Sequence, residues 1–360
     1  MSIENQLLKL KKEIDQELRE FFDLKIKEIK KWRKPSLLKE MAENIRDFTL
    51  SSGKRIRPIL FYYGYLLAGG RDKKNILKAA ISIELIHSYF LIHDDIIDRD
   101  DFRRHQLSVH CRYEKKYQDK FRGKSEEAKH FGISMGIIAG DLVSAFGYEI
   151  LSRSNFPENL KIRAIKKFNR VIADTITGEG IDVFLEMFAD FNMARILEMQ
   201  GYKTAKYTIE GPLHLGAILA GANSNFLNSL TDFAIPLGIA YQIQDDIIGV
   251  FGDEKKIGKP VGADLREGKA TLLIAKALEN ANDSQRMIID SVLGNKEAGL
   301  KEIERVRVVI RETESLKYSR NQVKKFSELA GLNLKKIKTS DEESKKFLRE
   351  LIDFMIGREF

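Results

Sequence analysis

Apolar side chains recur at helical spacing along most of the chain, whereas the strict alternation typical of a half-buried strand is scarce. Ile81, Leu85, Ile86 and Tyr89 fall on one helical face, because residues three or four positions apart are neighbours on a helix. The pattern predicts helices over residues 3–33, 36–50, 75–100, 131–153, 158–187, 189–202, 205–222, 229–250, 270–282 and 284–293, another after Pro58, and charged helices over 297–360 with a turn at Gly331-Leu332-Asn333. We therefore predict an all-α fold, with a single domain over residues 1–360.

Two segments interrupt this pattern. Residues 112–130 are polar and rich in lysine, which predicts a long loop, either a mobile cover over a site or a solvated excursion. Residues 252–268 are rich in glycine and lysine and predict a second loop.

Composition is consistent with a globular enzyme. The chain has 360 residues, of which 43% are hydrophobic, enough to bury a large core. The single cysteine, Cys111, cannot form an intramolecular disulfide and fits a reducing compartment. The N-terminal segment is charged from Glu4 onward, and we see no apolar run of about 18 residues that would span a membrane. We therefore expect a cytoplasmic protein.

The net charge of +8 raises the question of a nucleic-acid partner. Basic residues alternate with acids, as they do over residues 9–34, and this pattern is typical of a solvated helix face. The sequence shows no zinc-ligand spacing, no basic region followed by heptads and no aromatic RNA-binding signature. An anionic small-molecule substrate explains part of the positive charge better than a nucleic acid does.

Two acidic clusters of similar form lie about 150 residues apart. They are Asp94-Asp95-Ile96-Ile97-Asp98 and Asp245-Asp246-Ile247-Ile248-Gly249. Carboxylates four positions apart share a helical face, and like charges beside apolar core are costly unless a cation is bound. Mg²⁺ in proteins is typically held by one or two carboxylates together with substrate phosphates. The two clusters therefore predict Mg²⁺-assisted binding of a polyphosphate.

Basic residues that suit phosphate oxygens lie near both clusters in the sequence. They are Lys54, Arg55 and Arg57 in a basic turn, Arg103-Arg104 after the first cluster, Lys203-Thr204, and Lys259 and Lys269 among glycines after the second cluster. Each alone is more typical of surface charge, but together they support a phosphate site.

These motifs follow one another in the order found in a known enzyme family. They are Gly53-Lys54-Arg55-Ile56-Arg57-Pro58, the first acidic cluster with Arg103-Arg104 and His110, Gly140-Asp141, Gly178-Glu179 with Asp182, Lys203-Thr204-Ala205, Gln242-Ile243-Gln244-Asp245-Asp246, and Gly258-Lys259-Pro260 through Asp264-Leu265-Arg266-Glu267-Gly268-Lys269. The chain resembles the trans-isoprenyl diphosphate synthases, which make farnesyl and geranylgeranyl diphosphate. The resemblance implies an all-α bundle around a deep central cavity, a homodimer, and condensation of isopentenyl diphosphate with dimethylallyl, geranyl or farnesyl diphosphate.

The resemblance also implies roles for individual residues. Mg²⁺, with three ions per active site, would be held by Asp94, Asp95, Asp98 and Asp245, with Asp246 in support. The allylic diphosphate would be bound by Arg103, Lys203 and Lys259, and isopentenyl diphosphate by Lys54, Arg57, His87 and Arg104. Thr204, Gln242 and Lys269 would line the reacting centre.

In the family that the chain resembles, bulky residues just before the first cluster are associated with short products. Tyr89 and Phe90 lie five and four residues before Asp94, about one helical turn back. Large rings there would form the floor of the cavity and favour a C15 to C20 product, although core aromatics at helical period fit these positions equally well.

Two rival functions stay open at this point. A terpene cyclase of the same fold would share the first cluster, and Gly249 and Asp253 could belong to a degenerate cyclase metal motif. A catalytically silent partner subunit is the other rival. The second cluster has Gly249 where many family members have a third aspartate, and Asp253 could compensate only if the helix continues that far.

Overall fold

A computed structural model describes residues 2–31, 36–51, 53–104, 106–252 and 262–357. The helices are α1 (Ile3–Ile29), α2 (Ser36–Leu50), α3 (Ile56–Leu67), α4 (Lys73–Ile97), α5 (Val109–Tyr117), a 3₁₀ turn (Gln118–Phe121), α6 (Ser125–Arg153), α7 (Glu158–Met187), α8 (Met193–Gln200), a π-helix (Gly201–Glu210), α9 (Gly211–Leu219), α10 (Ser224–Phe251), α11 (Ala263–Glu267), α12 (Leu272–Asn280), α13 (Asp283–Asp290), α14 (Leu300–Glu312), α15 (Ser315–Lys336) and α16 (Glu342–Ile356). Strands β1 (Phe102–Arg103) and β2 (Gln106–Leu107) form one antiparallel hairpin. The predicted all-α class is confirmed.

The chain forms two compact units. Unit 1 contains Met1–Tyr65 and Gly70–Ile165, and unit 2 contains Leu66–Gly69 and Lys166–Phe360. Each unit has its own buried apolar residues and its own acidic cluster. The assignment of the chain to a single domain stays a prediction.

Helix α4 is the central helix of unit 1. It begins at Asp72, whose side chain accepts a hydrogen bond from the Asn75 backbone N–H at 3.0 Å and so caps the helix. It packs along α6, and it is buried on nearly all sides, including the polar Ser82 and Glu84. A helix that is apolar around most of its circumference must be enclosed by other elements, which explains why its sequence shows little amphipathic contrast.

Two helices of unit 1, α4 and α6, are long and apolar enough to cross a membrane by length and composition alone. The apolar window of α4 is 67% buried within the protein and that of α6 is 44% buried. A buried core helix passes the same test, so the expectation that the chain has no membrane span stays a prediction.

In unit 2, α10 is the longest described helix apart from α7, and it packs along α15 and the π-helix. Ile243 and Ile247 of α10 are buried together with Leu272 of α12. The polar face of the same α10 turns carries the second acidic cluster. Unit 2 therefore fixes that cluster through the apolar packing beneath it.

Two local predictions were wrong. The polar segment 112–130 is mainly helical, because its lysine and glutamate residues are good helix formers, and the chain breaks only near Gly123, which has φ of 83°. The predicted turn at Gly331-Leu332-Asn333 lies inside α15, since one glycine costs a packed helix only about 1 kcal/mol. The predicted loop over 252–268 includes α11, and residues 253–261 lie outside the described residues.

Candidate active site

The first acidic cluster lies at the C-terminal end of α4. The backbone N–H of Asp98 donates to the Asp94 carbonyl at 2.8 Å, so the helical turn continues through Asp98 and the three carboxylates share one turn. Asp95 is fully buried, with 0% exposure, while Asp94 and Asp98 are partly exposed. Burial raises the pKa of the Asp95 carboxyl to about 7, although the Arg103 charge opposes that shift.

Arg103 binds the first cluster in this structure. Its guanidinium donates from Nε to Asp95 Oδ1 and from Nη2 to Asp94 Oδ2 at 3.2 Å. The other oxygen of Asp95, Oδ2, is buried and has no hydrogen-bond partner among the described residues. A buried carboxylate oxygen without a partner is costly, and a cation would satisfy it.

A short hairpin positions Arg103. Residues Phe102 and Arg103 pair with Leu107 and Gln106, and the hairpin closes where the Asp101 carbonyl accepts hydrogen bonds from Ser108 N and Oγ, at 2.9 and 3.2 Å. This hairpin returns the chain towards the end of α4. Sequence periodicity does not predict it, because each strand has only two residues.

A second group of cations lies beside α4 in unit 1. Arg57 Nη1 is 3.2 Å from His87 Nε2, so the imidazole accepts the hydrogen bond from the guanidinium. Burial, and then the charges of Arg57, Arg104, Arg103 and Arg55, lower the pKa of His87 well below its usual value. A neutral histidine among arginines indicates an excess of positive charge that an anion would balance.

Arg55 differs from its neighbours in the basic turn. Its side chain is 1% exposed and donates to Glu84 at 2.6 Å, to Asp15 at 2.7 Å and to the Thr49 carbonyl at 2.8 Å. Arg55 is therefore committed to the core of unit 1. The suggestion that Arg55 binds phosphate is wrong. Of the other two basic residues in the turn, Lys54 is exposed and Arg57 contacts His87.

Gly53 allows the basic turn to form. Its φ is 146°, and a Cβ atom there would lie 3.0 Å from Arg55 Nη1 and 3.4 Å from Arg104 Nη2. A side chain at this position would push on both guanidinium groups. Arg104, predicted from the sequence to share a diphosphate with Arg57, thus lies beside the basic turn.

In the second acidic cluster, on α10, the buried carboxylate accepts hydrogen bonds from side-chain amides, whereas in the first cluster it is paired with a guanidinium. Asp246 is 7% exposed, and its two oxygens accept hydrogen bonds from Gln242 Nε2 at 2.8 Å and Gln200 Nε2 at 3.0 Å. Burial raises the pKa of Asp246 well above its usual value, and nearby carboxylates add to that shift. Asp245 is exposed. Asp246 is thus buried and hydrogen-bonded, whereas its neighbour Asp245 faces solvent.

A π-helix positions Lys203 and Thr204. Such helices are rare and are often found at functional sites. Thr204 Oγ1 donates to Gln242 Oε1 at 2.7 Å, which links the π-helix to Asp246 through Gln242. Neighbouring glycines allow this approach, since a Cβ at Gly178 would lie 2.4 Å from Lys203 N, and one at Gly238 would lie 2.3 Å from Ala205 Cα.

Acidic residues of α7 form ion pairs with two candidate site lysines of unit 2, Lys203 and Lys269. Lys203 Nζ lies 2.8 Å from Glu179 and 2.7 Å from Asp182, and Lys269 Nζ lies 3.0 Å from Glu186 and 3.8 Å from Asp182. These acids had no assigned role in the sequence, although their spacing of three and four residues does place them on one helical face. Lys259 lies outside the described residues.

The position of Gly249 is explained by a neighbouring carboxylate. A Cβ at Gly249 would lie 2.2 Å from Asp264 Oδ2, so an aspartate would not fit there unless Asp264 moved. The Gly262 N–H also donates to the Gly249 carbonyl at 3.2 Å, which holds α11 against the end of α10. Asp264 thus presents a carboxylate beside the second cluster. Asp253, suggested from the sequence as a compensating residue, lies outside the described residues.

Aromatic rings precede the first cluster on α4. The rings of Tyr89 and Phe90 are 4.8 Å apart, and Tyr89 contacts His93 edge-on at 4.7 Å. A Cβ at Gly140 would lie 2.3 Å from His93 Nε2, so this glycine lets His93 pack onto α6. Both rings are partly exposed. Phe90 lies on the helical face of Asp94, four residues away.

Comparisons with known proteins agree with a diphosphate-binding, helical enzyme. The family model described as polyprenyl synthetase matches residues 38–310. The geranylgeranyl diphosphate synthase of Saccharolobus solfataricus is 35% identical over 325 residues, which are 90% of this chain and 92% of that protein. The geranylfarnesyl diphosphate synthase of Aeropyrum pernix is 32% identical over 312 residues, with coverage of 86% and 91%.

A solved structure extends this likeness to the fold. The geranylgeranyl pyrophosphate synthase of Corynebacterium glutamicum, complexed with isoprenyl diphosphate and magnesium, matches with a TM-score of 0.90 at 31% identity, covering 98% of this chain and 99% of that one. The chain belongs to the polyprenyl synthetase family. It is a transferase of the prenyltransferase class.

Proposed function

We propose that this chain condenses isopentenyl diphosphate with allylic diphosphates in trans and releases geranylgeranyl diphosphate as its main product. The likeness to the geranylgeranyl diphosphate synthase of Saccharolobus solfataricus supports this product. Farnesyl diphosphate is the shorter alternative, because the farnesyl diphosphate synthase of Geobacillus stearothermophilus is 31% identical over 262 residues.

The observation that carries the proposal is the presence of two different anion environments along α4. Near the end of the helix, Asp94 and Asp95 form an acidic cluster paired with Arg103. Two turns earlier, His87 lies among cations, bonded to Arg57. The first environment suits a diphosphate that arrives with metal ions, and the second suits a diphosphate that binds cations of the protein directly. A condensation of two diphosphates needs both.

The residues present fit Mg²⁺. The donors at the first cluster are all carboxylates, the ligand type that this hard cation prefers, and Asp95 Oδ2 is buried without a hydrogen-bond partner among the described residues. Asp94, Asp95 and Asp98 would hold the ion in unit 1, and Asp245, with Asp264 close by and Asp246 in support, would do so in unit 2. When bound, Mg²⁺ neutralises the charge that develops on the departing diphosphate.

The basic residues divide between the two diphosphates. We assign Arg103, Lys203 and Lys259 to the allylic diphosphate, as the resemblance to the family implies. Arg103 exchanges its carboxylate partners for phosphate oxygens when the cluster binds its substrate. Lys54, Arg57, His87 and Arg104 bind isopentenyl diphosphate. His87 stays neutral there and orients Arg57, since the imidazole accepts the hydrogen bond of that guanidinium.

The groups that we assign to the reacting centre, Thr204, Gln242 and Lys269, belong to unit 2. Gln242 is held at both ends, by Thr204 and by Asp246, so its amide is preorganised. The Thr204 hydroxyl donates a hydrogen bond to Gln242. The lone pairs of the Thr204 oxygen therefore stay available to stabilise the allylic cation. The double bond of isopentenyl diphosphate then attacks that cation, and the released diphosphate takes the proton lost from the product. Lys269, held by Glu186, balances negative charge at this position.

Chain length follows from Tyr89 and Phe90. Phe90 lies on the face of Asp94, and the Tyr89 ring is fixed against His93. The prenyl tail can grow past this turn only if the rings of Tyr89 and Phe90 move aside. We assign to these residues the limit on product length.

The rival functions fit the site less well. A terpene cyclase acts on one diphosphate and has no use for the cations around His87. A silent subunit has no use for three carboxylates on one turn of α4. We also expect the protein to act as a homodimer, and the exposed Ile137 and Ile138 of α6 offer apolar surface for it.

The test is to incubate the purified protein with Mg²⁺, labelled isopentenyl diphosphate and each allylic primer in turn, then size the dephosphorylated products. The proposal predicts a C20 alcohol as the main product, with none formed in excess chelator. A folded protein that condenses no primer would favour the silent subunit, and cyclic hydrocarbons would favour the cyclase.

A further inference from the structure

Unit 1 contains a histidine, a cysteine and an aspartate that the proposed reaction does not use. Asp101 stands at the start of the β1–β2 hairpin, and His110 and Cys111 lie in the first turn of α5. One ligand atom from each residue lies within 4.8 Å of the ligand atoms of the other two. Cys111 is the single cysteine of the chain.

The histidine provides a second, independent observation. His110 is 7% exposed, and its Nδ1 has no hydrogen-bond partner in the part of the chain that the structure describes. A buried imidazole nitrogen without a partner is costly, and imidazole is a common ligand of transition metals. The backbone at His110 is packed closely on α6, since a Cβ at Gly132 would lie 2.6 Å from the His110 carbonyl oxygen.

Two of the donors already have the separation that a shared ion requires. Cys111 Sγ lies 3.4 Å from Asp101 Oδ1. A tetrahedral Zn²⁺ holds sulfur at about 2.3 Å and carboxylate oxygen at about 2.0–2.2 Å, which separates the two atoms by about 3.5 Å. A ring nitrogen of His110 lies within 4.8 Å of both atoms.

We propose that Asp101, His110 and Cys111 bind one borderline-soft divalent ion such as Zn²⁺ or Co²⁺, with water as the remaining ligand. Sulfur and nitrogen donors select such ions over Mg²⁺, which prefers oxygen. On binding, the Cys111 S–H bond breaks, the proton passes to solvent and a sulfur–metal bond forms. The ion then ties the hairpin that carries Arg103 to α5. None of the three ligands takes part in the proposed prenyl transfer.

The thiol gives the site a spectroscopic signature. Full-length protein, reduced with a phosphine and kept in excess Mg²⁺, is titrated with Co²⁺ while near-ultraviolet absorption is recorded. We expect a thiolate-to-cobalt charge-transfer band that saturates at one ion per chain and disappears when Zn²⁺ is added. Cys111→Ser should lack the band. Asp94→Asn, which alters the oxygen-only cluster, should keep it.

Two further variants test whether the thiol acts alone. Asp101→Asn and His110→Asn should each weaken Co²⁺ binding at least tenfold, because each removes one ligand. Asp101 is exposed, so its variant decides the matter if His110→Asn does not fold. The proposal is wrong if the protein shows no charge-transfer band, or if Asp101→Asn binds Co²⁺ as tightly as the unaltered chain.

Discussion

The two acidic clusters are stabilised in different ways, although their sequences are similar. In unit 1 the buried Asp95 is paired with a charged guanidinium, that of Arg103. In unit 2 the buried Asp246 accepts hydrogen bonds from two neutral amides, and Lys203 and Lys269 are paired with other acids, on α7. The comparison shows that a shared motif does not specify how its charges are compensated. It also predicts that the two clusters respond differently to the same substitution.

The largest difference should appear when one carboxylate of each cluster is made an amide. Asp94→Asn removes a charged ligand of the metal cluster, and we expect a loss in kcat/KM of about a thousandfold, equivalent to about 4 kcal/mol. Asp246→Asn should lose only about tenfold, because Gln200 has an unused Oε1 among the described residues and can turn its amide to accept from the new side chain. Labelled isopentenyl diphosphate incorporation measures both. Equal losses would contradict the comparison.

The next effect concerns stability in unit 1. Arg103→Gln leaves the buried Asp95 without its ion pair, and we expect the free energy of unfolding in urea to fall by about 3 kcal/mol. Arg99→Gln is the matched control, since Arg99 is exposed on the same segment. Adding Asp95→Asn to Arg103→Gln should recover most of the loss. Identical unfolding of the Arg103 and Arg99 variants would show that charge pairing does not hold this cluster.

In unit 2 we expect stability to depend on the close packing of α7 against the π-helix. Gly178→Ala would place a methyl group 2.4 Å from Lys203 N, so we expect it to shift the π-helix and lower the free energy of unfolding by about 1–3 kcal/mol. Gly180→Ala is the control on the same helix. Its Cβ has no neighbour within 4 Å, and alanine should stabilise α7 by up to about 1 kcal/mol. The same response from both variants would contradict the role of Gly178.

The smallest effect on rate, but a clear effect on product, is expected at Tyr89 and Phe90. Each alanine variant should keep most of the activity and extend the product by one or more isoprene units, because the side chain that limits the tail is removed. Phe90→Ala should extend it further, since Phe90 shares the Asp94 face while the Tyr89 ring contacts His93 edge-on. Sizing the product alcohols measures this. An unchanged product in the double variant would remove these residues from the account of chain length.

The sequence predicted the helices and the charged clusters better than it predicted which side chains contact one another. Helices such as α2 and α7 were predicted with the observed ends, because apolar spacing and local propensity determine them together. The hairpin that carries Arg103 was missed, since two-residue strands have no periodicity, and the buried role of Arg55 depends on Asp15 and Glu84 from distant helices. The contact of Asp264 with Gly249 was also beyond sequence reasoning, because it depends on how α11 packs on α10.

The central claim is that unit 1 offers one diphosphate site that needs Mg²⁺ and another that does not. Isothermal titration with isopentenyl diphosphate, with Mg²⁺ and in excess chelator, tests it directly, and a slowly ionising thiolo analogue of geranyl diphosphate serves as the comparison ligand. We predict that isopentenyl diphosphate binds equally under both conditions and is lost in Arg57→Gln, whereas the allylic analogue binds only with Mg²⁺ and is lost in Asp94→Asn. Isopentenyl diphosphate binding that requires Mg²⁺, or that survives Arg57→Gln unchanged, would contradict the account.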